Sequence, residues 1–381
     1  MNSFDVKTKI YFGENSLERL KSVGKKRVLV ICDPFAVKSG LISHITSKLD
    51  AAGADYDVYS DIVPDPPISK IALGVEKMGE FRPELLIAVG GGSAIDSAKA
   101  IREVAVSSKK SAYIDLIAIP TTSGTGSEVT SFSVITDPEN HKKYPLVSES
   151  LLPQEAILDA ELVRSVPPSV TADTGMDVFT HALEAYVSTN ANEFSDALSE
   201  KSMELFGAFM IRSFADNNDI EARRKMHAAS CLAGLSFNAV SLGLNHGMAH
   251  QLGSMFHIPH GRANALLLPS VIEFNSGISP ESREENGISA TAQKYAAAAE
   301  TLGLHAFDAA TTVKQLVNFV RFMLAEMKMP RSISEIGKIS EKDYFGAIDA
   351  MADAALADPC TATNPKKPTK EEVMQIYREL W

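Results

Sequence analysis

The first part of the chain alternates short β-branched or apolar runs with stretches of helical spacing. Residues 27–33 (Arg27-Val28-Leu29-Val30-Ile31-Cys32-Asp33) read as a buried strand, and 40–52 follow with helical periodicity. Residues 55–59 read as a second strand, followed by a turn at Pro64-Asp65-Pro66-Pro67. Residues 71–81 are helical in pattern, 85–89 form an unbroken apolar strand, 95–106 a helix and 115–119 one more strand. This βαβα order predicts an α/β domain with a doubly wound, largely parallel, Rossmann-like sheet. Past about residue 170 the strand signals fade. Residues 172–187, 194–214 and 220–235 have helical spacing, and Val313, Leu316, Val317, Val320, Met323, Leu324 and Met327 share one helix face that Pro330 ends. The second part therefore reads as an all-α domain, with the boundary between 1–170 and 171–381.

Length agrees with two domains, since 381 residues is about twice a typical one. The charge balance is 37 Lys+Arg against 48 Asp+Glu, a net −11. That excess of acid argues against nucleic acid or an anionic membrane as a partner, because both select basic patches. Cys32, Cys231 and Cys360 lie far apart and are odd in number, so a reducing cytoplasm fits better than a disulfide framework. The first twenty residues include Asp5, Lys7, Lys9, Glu14 and Glu18 and no apolar core, which does not resemble a signal peptide. One composition shift matters more. Residues 226–261 contain no Asp, Glu, Lys or Arg over 36 positions, where about eight would be expected at 22% charged. The stretch is rich in His, Asn, Ser, Gln and Gly, so it reads as buried around polar, useful side chains rather than as a lipid-facing helix.

Two places carry chemistry. The strand at 85–89 runs into Gly90-Gly91-Gly92-Ser93 and then a helix, the arrangement in which a backbone can approach a phosphate and helix N–H groups can hold it. Asp96 falls in the first turn of that helix. A plain glycine turn is the alternative. Asp33 ends the first strand, at the sheet edge where open α/β sheets bind ligands, and a carboxylate there can accept from a ribose 2′-OH and repel a 2′-phosphate. Residues 120–128 (Pro-Thr-Thr-Ser-Gly-Thr-Gly-Ser-Glu) follow another strand and bring hydroxyls to the same edge. The usual G-x-G-x-x-G after the first strand is absent, so any pyrophosphate must use the later glycine turn.

The second place is histidine-rich. Six of the nine histidines, His181, His227, His246, His250, His257 and His260, lie between 181 and 260. Asp177 with His181, and His246 with His250, have i, i+4 spacing and share a helix face. Asp177, His181, His246 and His260 would together suit a divalent first-row metal. Each pair alone is more often an ordinary helix-surface or core pair.

Residues 120–128, Gly175-Met176-Asp177 through His181-Ala182-Leu183-Glu184-Ala185-Tyr186, and Asn245-His246-Gly247-Met248-Ala249-His250 followed by Pro259-His260-Gly261 resemble the iron-containing alcohol dehydrogenases. The likeness runs from Tyr11-Phe12-Gly13 to Asn364-Pro365. Lys143-Tyr144-Pro145-Leu146 and Leu242-Gly243-Leu244-Asn245-His246 are most similar to the propanol and ethanol dehydrogenases of propanediol- and ethanolamine-utilisation operons. The resemblance implies a nucleotide domain, a helical domain and a metal in the cleft between them. It implies Asp177, His181, His246 and His260 as ligands of Fe(II), with Zn(II) as the other metal to consider. It implies Asp33, Gly91, Gly92, Ser93, Thr121, Thr122, Thr130 and Lys143 as the lining of an NAD site. His250 would stand beside the nicotinamide and substrate and, one turn from His246, serve as a proton relay; a neutral core histidine is its alternative. His227 and His257 are read as structural. The activity implied is NAD(H)-dependent interconversion of short primary alcohols and aldehydes in the cytoplasm, by a homo-oligomer with a dimer as default, with association to a bacterial microcompartment. A zinc polyol dehydrogenase, a dehydroquinate-synthase-like lyase and a silent NAD-binding scaffold are the rival readings.

Overall fold

A computed structural model describes residues 3–64, 66–137, 142–279 and 288–381, with the backbone alone described at 137 and 142–145. Asp65 of the expected turn lies outside these. The chain divides into two compact units, Met1–Val166 and Pro167–Trp381. The first carries strands β1 (Lys9–Phe12), β2 (Arg27–Cys32), β3 (Asp55–Tyr59), β4 (Leu85–Gly90), β5 (Asp115–Pro120), β6 (Phe132–Asp137), β7 (Lys142–Val147) and β8 (Glu155–Leu158). Its helices are α1 (Pro34–Lys38), α2 (Ser43–Ala52), α3 (Ile68–Phe81) and α4 (Gly92–Ser107).

Six strands make one sheet in the order β1-β8-β5-β4-β2-β3, with every pairing parallel. The largely parallel sheet is the one expected. Strands β2, β4 and β5 are central and covered on both faces, which is why they read as unbroken apolar runs. Alternate residues enter two cores: Leu29, Ile31, Leu86, Ala88, Leu116 and Ala118 pack with α3 and α4, whereas Val28, Val30, Ile87, Val89, Ile117 and Ile119 pack with α2 and residues near Leu20. From β2 the chain adds β3 on one side and then crosses back to place β4 on the other. The carboxyl ends of β2 and β4 are thus neighbours at the point where strand order reverses, with Cys32 opposite Val89. Among the described strands, four escape the sequence pattern: β1 and β8, four residues each, and the antiparallel pair β6–β7.

Helix α4 ties this edge together with buried charge. Lys99 is fully buried and donates to Ser127 Oγ (2.9 Å), Thr130 O (2.8 Å), Thr130 Oγ1 (3.2 Å) and Phe132 O (2.7 Å). Asp96, one turn earlier, accepts from Ser127 Oγ (2.6 Å) and Val134 N (3.0 Å). Burial lowers the Lys99 ammonium to about 8 against the pull of Asp96 and Glu128, and burial raises the Glu128 carboxyl to about 7. Arg102, one turn beyond Lys99 and equally buried, donates to Gln154 Oε1 (2.8 Å) and the Ser150 and Leu152 carbonyls (2.5 and 3.0 Å).

The second unit is helical: α5 (Pro168–Val187), α6 (Glu193–Ala215), α7 (Ile220–Val240), α8 (Leu244–Phe256), α9 (His260–Ser276), α10 (Ala290–Thr301), α11 (Ala309–Glu326), α12 (Glu341–Ala357) and α13 (Lys370–Glu379). One core joins α5, α6, α7, α10 and α11; another joins α8, α9, α12 and α13. Among the described residues no single helix is long and apolar enough to cross a membrane, and α7 and α8, which approach that composition as a pair, turn by 107°. The uncharged stretch is largely buried as far as Ala249 and half-exposed beyond it.

Replacing Lys99 by Met removes the one ammonium inside this cluster and leaves Asp96 and Glu128 buried without it. A loss of about 3–5 kcal/mol in unfolding free energy is expected, measured by urea denaturation; a loss below about 1 kcal/mol would show that the cluster is dispensable.

Candidate functional site

Three helices of the second unit bring one carboxylate and three imidazoles to a point. Asp177 and His181 leave the same face of α5, His246 lies in the first turn of α8, and His260 is the first residue of α9. One donor atom from each lies within 4.8 Å of the others. His246 Nε2 and His260 Nε2 stand 3.7 and 3.5 Å from Asp177 Oδ1. The His246 ring stacks on His181 at 4.6 Å between centroids and lies 5.2 Å from that of His260. Asp177, His181 and His246 are buried and His260 is partly exposed.

Neighbouring side chains hold these groups in position. Glu184, on the same face of α5 as Asp177 and His181, hydrogen-bonds His246 Nδ1 and also accepts from Asn245 N (2.7 Å). Pairing at Nδ1 leaves Nε2 facing the cluster. Arg262 clamps Asp173 with two hydrogen bonds (3.1 and 3.0 Å), fastening the start of α9 to α5. Gly261 permits that contact, because a Cβ there would collide with the Asp173 carbonyl. Asn264 Nδ2 lies 2.7 Å from Asp177 Oδ1, 3.0 Å from His246 Nε2 and 3.3 Å from His260 Nε2. Asp177 Oδ1 and the two Nε2 atoms thus converge on one amide nitrogen whose two hydrogens cannot serve all three, an arrangement that suits a small cation. The donor set, one carboxylate oxygen and imidazole nitrogens, fits a divalent first-row metal.

The charges of the cluster compensate one another. Burial opposes ionisation of Asp177, yet His181, His260 and His246 hold its carboxyl well below the usual range. Burial likewise opposes the imidazolium of His246, but Glu184 and Asp177 outweigh it and lift the ring to about 9. His260 is pushed down by burial and by its histidine neighbours, against Asp177. His250 points its Nδ1 at Asp358 Oδ2 (2.8 Å), and its ring stacks at 5.4 Å on His260. His227 is buried on α7, and His257 is exposed at the end of α8 with φ +55°.

In the first unit, the carboxyl edge gathers most of the other expected residues. Gly90 adopts φ +151°, and a Cβ on it would lie 2.6 Å from Ala94 Cβ and 3.3 Å from Asp33 Oδ2, so Asp33 and the glycine turn are adjacent. Asp33 Oδ1 caps α1 through Ala36 N (2.9 Å), leaving Oδ2 toward that turn. Gly91 is the N-cap of α4 with no side chain over the first N–H groups, and Ser93 lies in its first turn. Thr121 N donates to Gly90 O (3.0 Å), and Thr122 Oγ1 would be 3.2 Å from a Cβ on Gly91. Thr130, in contrast, is buried with its hydroxyl against Lys99. Lys143, in β7, pairs with Thr136 of β6, and its side chain lies outside the described residues.

Residues 7–160 match the model of iron-containing alcohol dehydrogenases, and residues 171–381 match that of the C-terminal part of the same family. The chain belongs to the iron-containing alcohol dehydrogenase family. It is 43% identical to a 1-propanol dehydrogenase of Salmonella typhimurium over the full length of both chains. It is 37% identical to an NADPH-dependent butanol dehydrogenase of Clostridium saccharobutylicum, covering 99% of this chain and 97% of that one. Among solved structures, an iron-containing alcohol dehydrogenase from Thermococcus thioreducens superimposes with a TM-score of 0.89 at 32% identity, covering 99% of each. The protein is therefore an oxidoreductase, and a nicotinamide dinucleotide with a divalent metal such as iron are the cofactors that membership brings.

Sequence reasoning passed over Glu184, Asn264, Asp173 and Asp358. The first two carried a signal, since Glu184 is three residues from His181 and Asn264 four from His260 on helical faces. His227 yields a test of its own. Burial pushes its imidazole down to about 4, against about 6.5 in an unfolded chain. Between those values the unfolded chain takes up a proton that the folded one refuses, so this contribution to stability is lost as pH falls. In His227→Gln the urea midpoint should depend less steeply on pH from 6.5 to 4; an unchanged slope would locate the acid sensitivity in other groups.

Proposed function

We propose that the protein is an NAD(H)-dependent, Fe(II)-containing alcohol dehydrogenase interconverting short primary alcohols and aldehydes, propanol and propanal above all. The observation that carries this reading is full-length similarity to a 1-propanol dehydrogenase combined with the convergence of Asp177, His181, His246 and His260. Those four side chains would hold the metal, Glu184 keeping the His246 ring in the tautomer that presents Nε2. When bound, the cation supplies stabilisation of negative charge on the substrate oxygen, and the dinucleotide accepts or donates the hydride.

The remaining steps belong to the chain's own residues. Gly91 and Gly92 let the backbone at the start of α4 approach a pyrophosphate, and the open N–H groups there favour the anion. Ser93, Thr121 and Thr122 offer hydroxyls at the same edge. Thr130 acts from below by fixing the 121–130 loop to Lys99, and the family likeness alone adds Lys143 to the cofactor's contacts. Asp33 Oδ2 is free to accept from a ribose hydroxyl and would repel a 2′-phosphate. His250 moves the proton that the reaction takes up or releases: Asp358 faces Nδ1, so Nε2 is the exchanging nitrogen. A cytoplasmic homodimer, with association to a bacterial microcompartment, belongs to the same reading on the likeness to the propanediol-utilisation subgroup.

Metal-stripped protein reloaded with Fe(II) should oxidise NADH in the presence of propanal, and the His260→Ala variant should lose at least about 100-fold of that rate. NADH binding without turnover under Fe(II) or Zn(II) would sink the dehydrogenase assignment. Because one relative is NADPH-dependent, cofactor choice is a separate test. Asp33→Asn keeps the α1 cap and removes the charge. It should shift the ratio of kcat/KM for NADH over NADPH toward NADPH by at least about tenfold, the equivalent of 1.4 kcal/mol; an unchanged ratio would place the discrimination elsewhere.

A further inference from the structure

A second group of metal-ligating side chains lies in the helical unit and shares no residue with the first. His250, Asp358 and Cys360 each offer one donor atom, and the three atoms lie within 4.8 Å of one another. They come from segments over a hundred positions apart: His250 is on α8, whereas Asp358 and Cys360 belong to the end of α12 and the single 3₁₀ turn Pro359–Thr363 after it. Gly247 allows this turn to sit against α8, because a Cβ there would collide with Thr361 Oγ1. Thr361 is itself held by the Ala355 carbonyl at 2.7 Å. Asp358 is fixed on two sides, Oδ1 accepting from Cys360 N (2.9 Å) and Oδ2 facing His250 Nδ1 (2.8 Å). The three ligands are thus ordered before any cation arrives.

We propose that His250, Asp358 and Cys360 form a second, thiolate-containing site for a soft divalent cation of the zinc class, with a fourth position open to water. The chemistry separates it from the first cluster. Asp177 and its three histidines offer oxygen and nitrogen, which suit iron as well as zinc; a sulfur, nitrogen and oxygen set selects zinc. Charge balances too. A thiolate and a carboxylate neutralise one dication, so the cation adds little repulsion toward a metal at the neighbouring cluster. Binding forms a metal–sulfur bond and releases the thiol proton to solvent. Burial, with the charges of Asp358 and Glu184, keeps the free Cys360 thiol protonated, so the site forms only when a cation displaces that proton. Occupation would engage His250 and halt its proton transfer, making the site a zinc-operated brake. That consequence rests on His250 as the relay of the proposed reaction; the site itself does not.

Cobalt(II) reports thiolate ligation directly, through an intense near-ultraviolet charge-transfer band. The full-length protein, reconstituted anaerobically with one equivalent of Fe(II), is titrated with Co(II) and its metals are counted by mass spectrometry. A thiolate band that saturates at one added equivalent is expected, and it should be lost in Cys360→Ser while the first equivalent is retained. No band in the wild type, or a band that persists in Cys360→Ser, would overturn the proposal. Alkylation provides a check that needs no variant. Zn(II) beyond the first equivalent should slow iodoacetamide labelling of Cys360, mapped by peptide mass, at least tenfold, and an unchanged rate would overturn the proposal as well. If NADH oxidation with propanal fails but the cobalt band appears, the substrate reading falls and the second site stands.

Discussion

Lone pairs that converge inside a protein repel one another and lose their water, so they persist only where something electropositive takes their place. That constraint governs the helical unit. Asp177, His246 and His260 aim at a common point, and the structure spends three helices on keeping them there. Glu184 turns one ring, Arg262 with Asp173 pins the start of α9, and Gly261 removes the atom that would hold α9 off α5. The uncharged composition of 226–261 follows from the same constraint. Its first two-thirds are largely buried, where an unpaired Lys or Glu would cost several kcal/mol.

The sheet unit solves a milder problem in a related way. Its ligand edge is made of backbone rather than side chains, and backbone loops need an anchor. Lys99 supplies one by gathering two carbonyls and two hydroxyls around a single buried ammonium. Asp96 supplies another from the same helix, one turn away. The N-terminus of α4 and the hydroxyl loop are consequently parts of one rigid body, so the glycine turn and Thr121–Thr122 keep a constant separation.

Legibility in the sequence followed burial. Strands β2, β4 and β5 are covered on both faces and appear as unbroken runs, whereas β1 and β8 are short and gain their partner from the far end of the unit. No local pattern encodes such a pairing. Helices α8 and α9 were obscured because they are buried on most sides with polar residues set among the apolar ones, and carry Gly, His and an internal proline, so the 3.6-residue period is weak. The four converging residues stood out through spacing and through the motifs they share with the dehydrogenase family. Their supports did so unevenly: Glu184 and Asn264 keep helical register with a ligand, while Asp358 reaches His250 across 108 positions and leaves no trace in the sequence near either.

The pairing of β1 with β8 has a consequence for how the chain is made. Lys9 sits opposite Glu155, so β1 emerges from the ribosome long before its partner exists. At about 5–20 residues per second, the intervening stretch takes roughly 7–30 s to synthesise. Throughout that interval a strand bearing Tyr11 and Phe12 presents unpaired backbone donors and acceptors, the condition under which strands recruit wrong neighbours. The arginine and lysine near it, Lys9 and Arg19, both placed over the Tyr11 ring in the finished fold, also keep the waiting segment charged. The sheet cannot close until β8, the last strand of this unit in chain order, has been made, and crowding between nascent chains would do most harm before then.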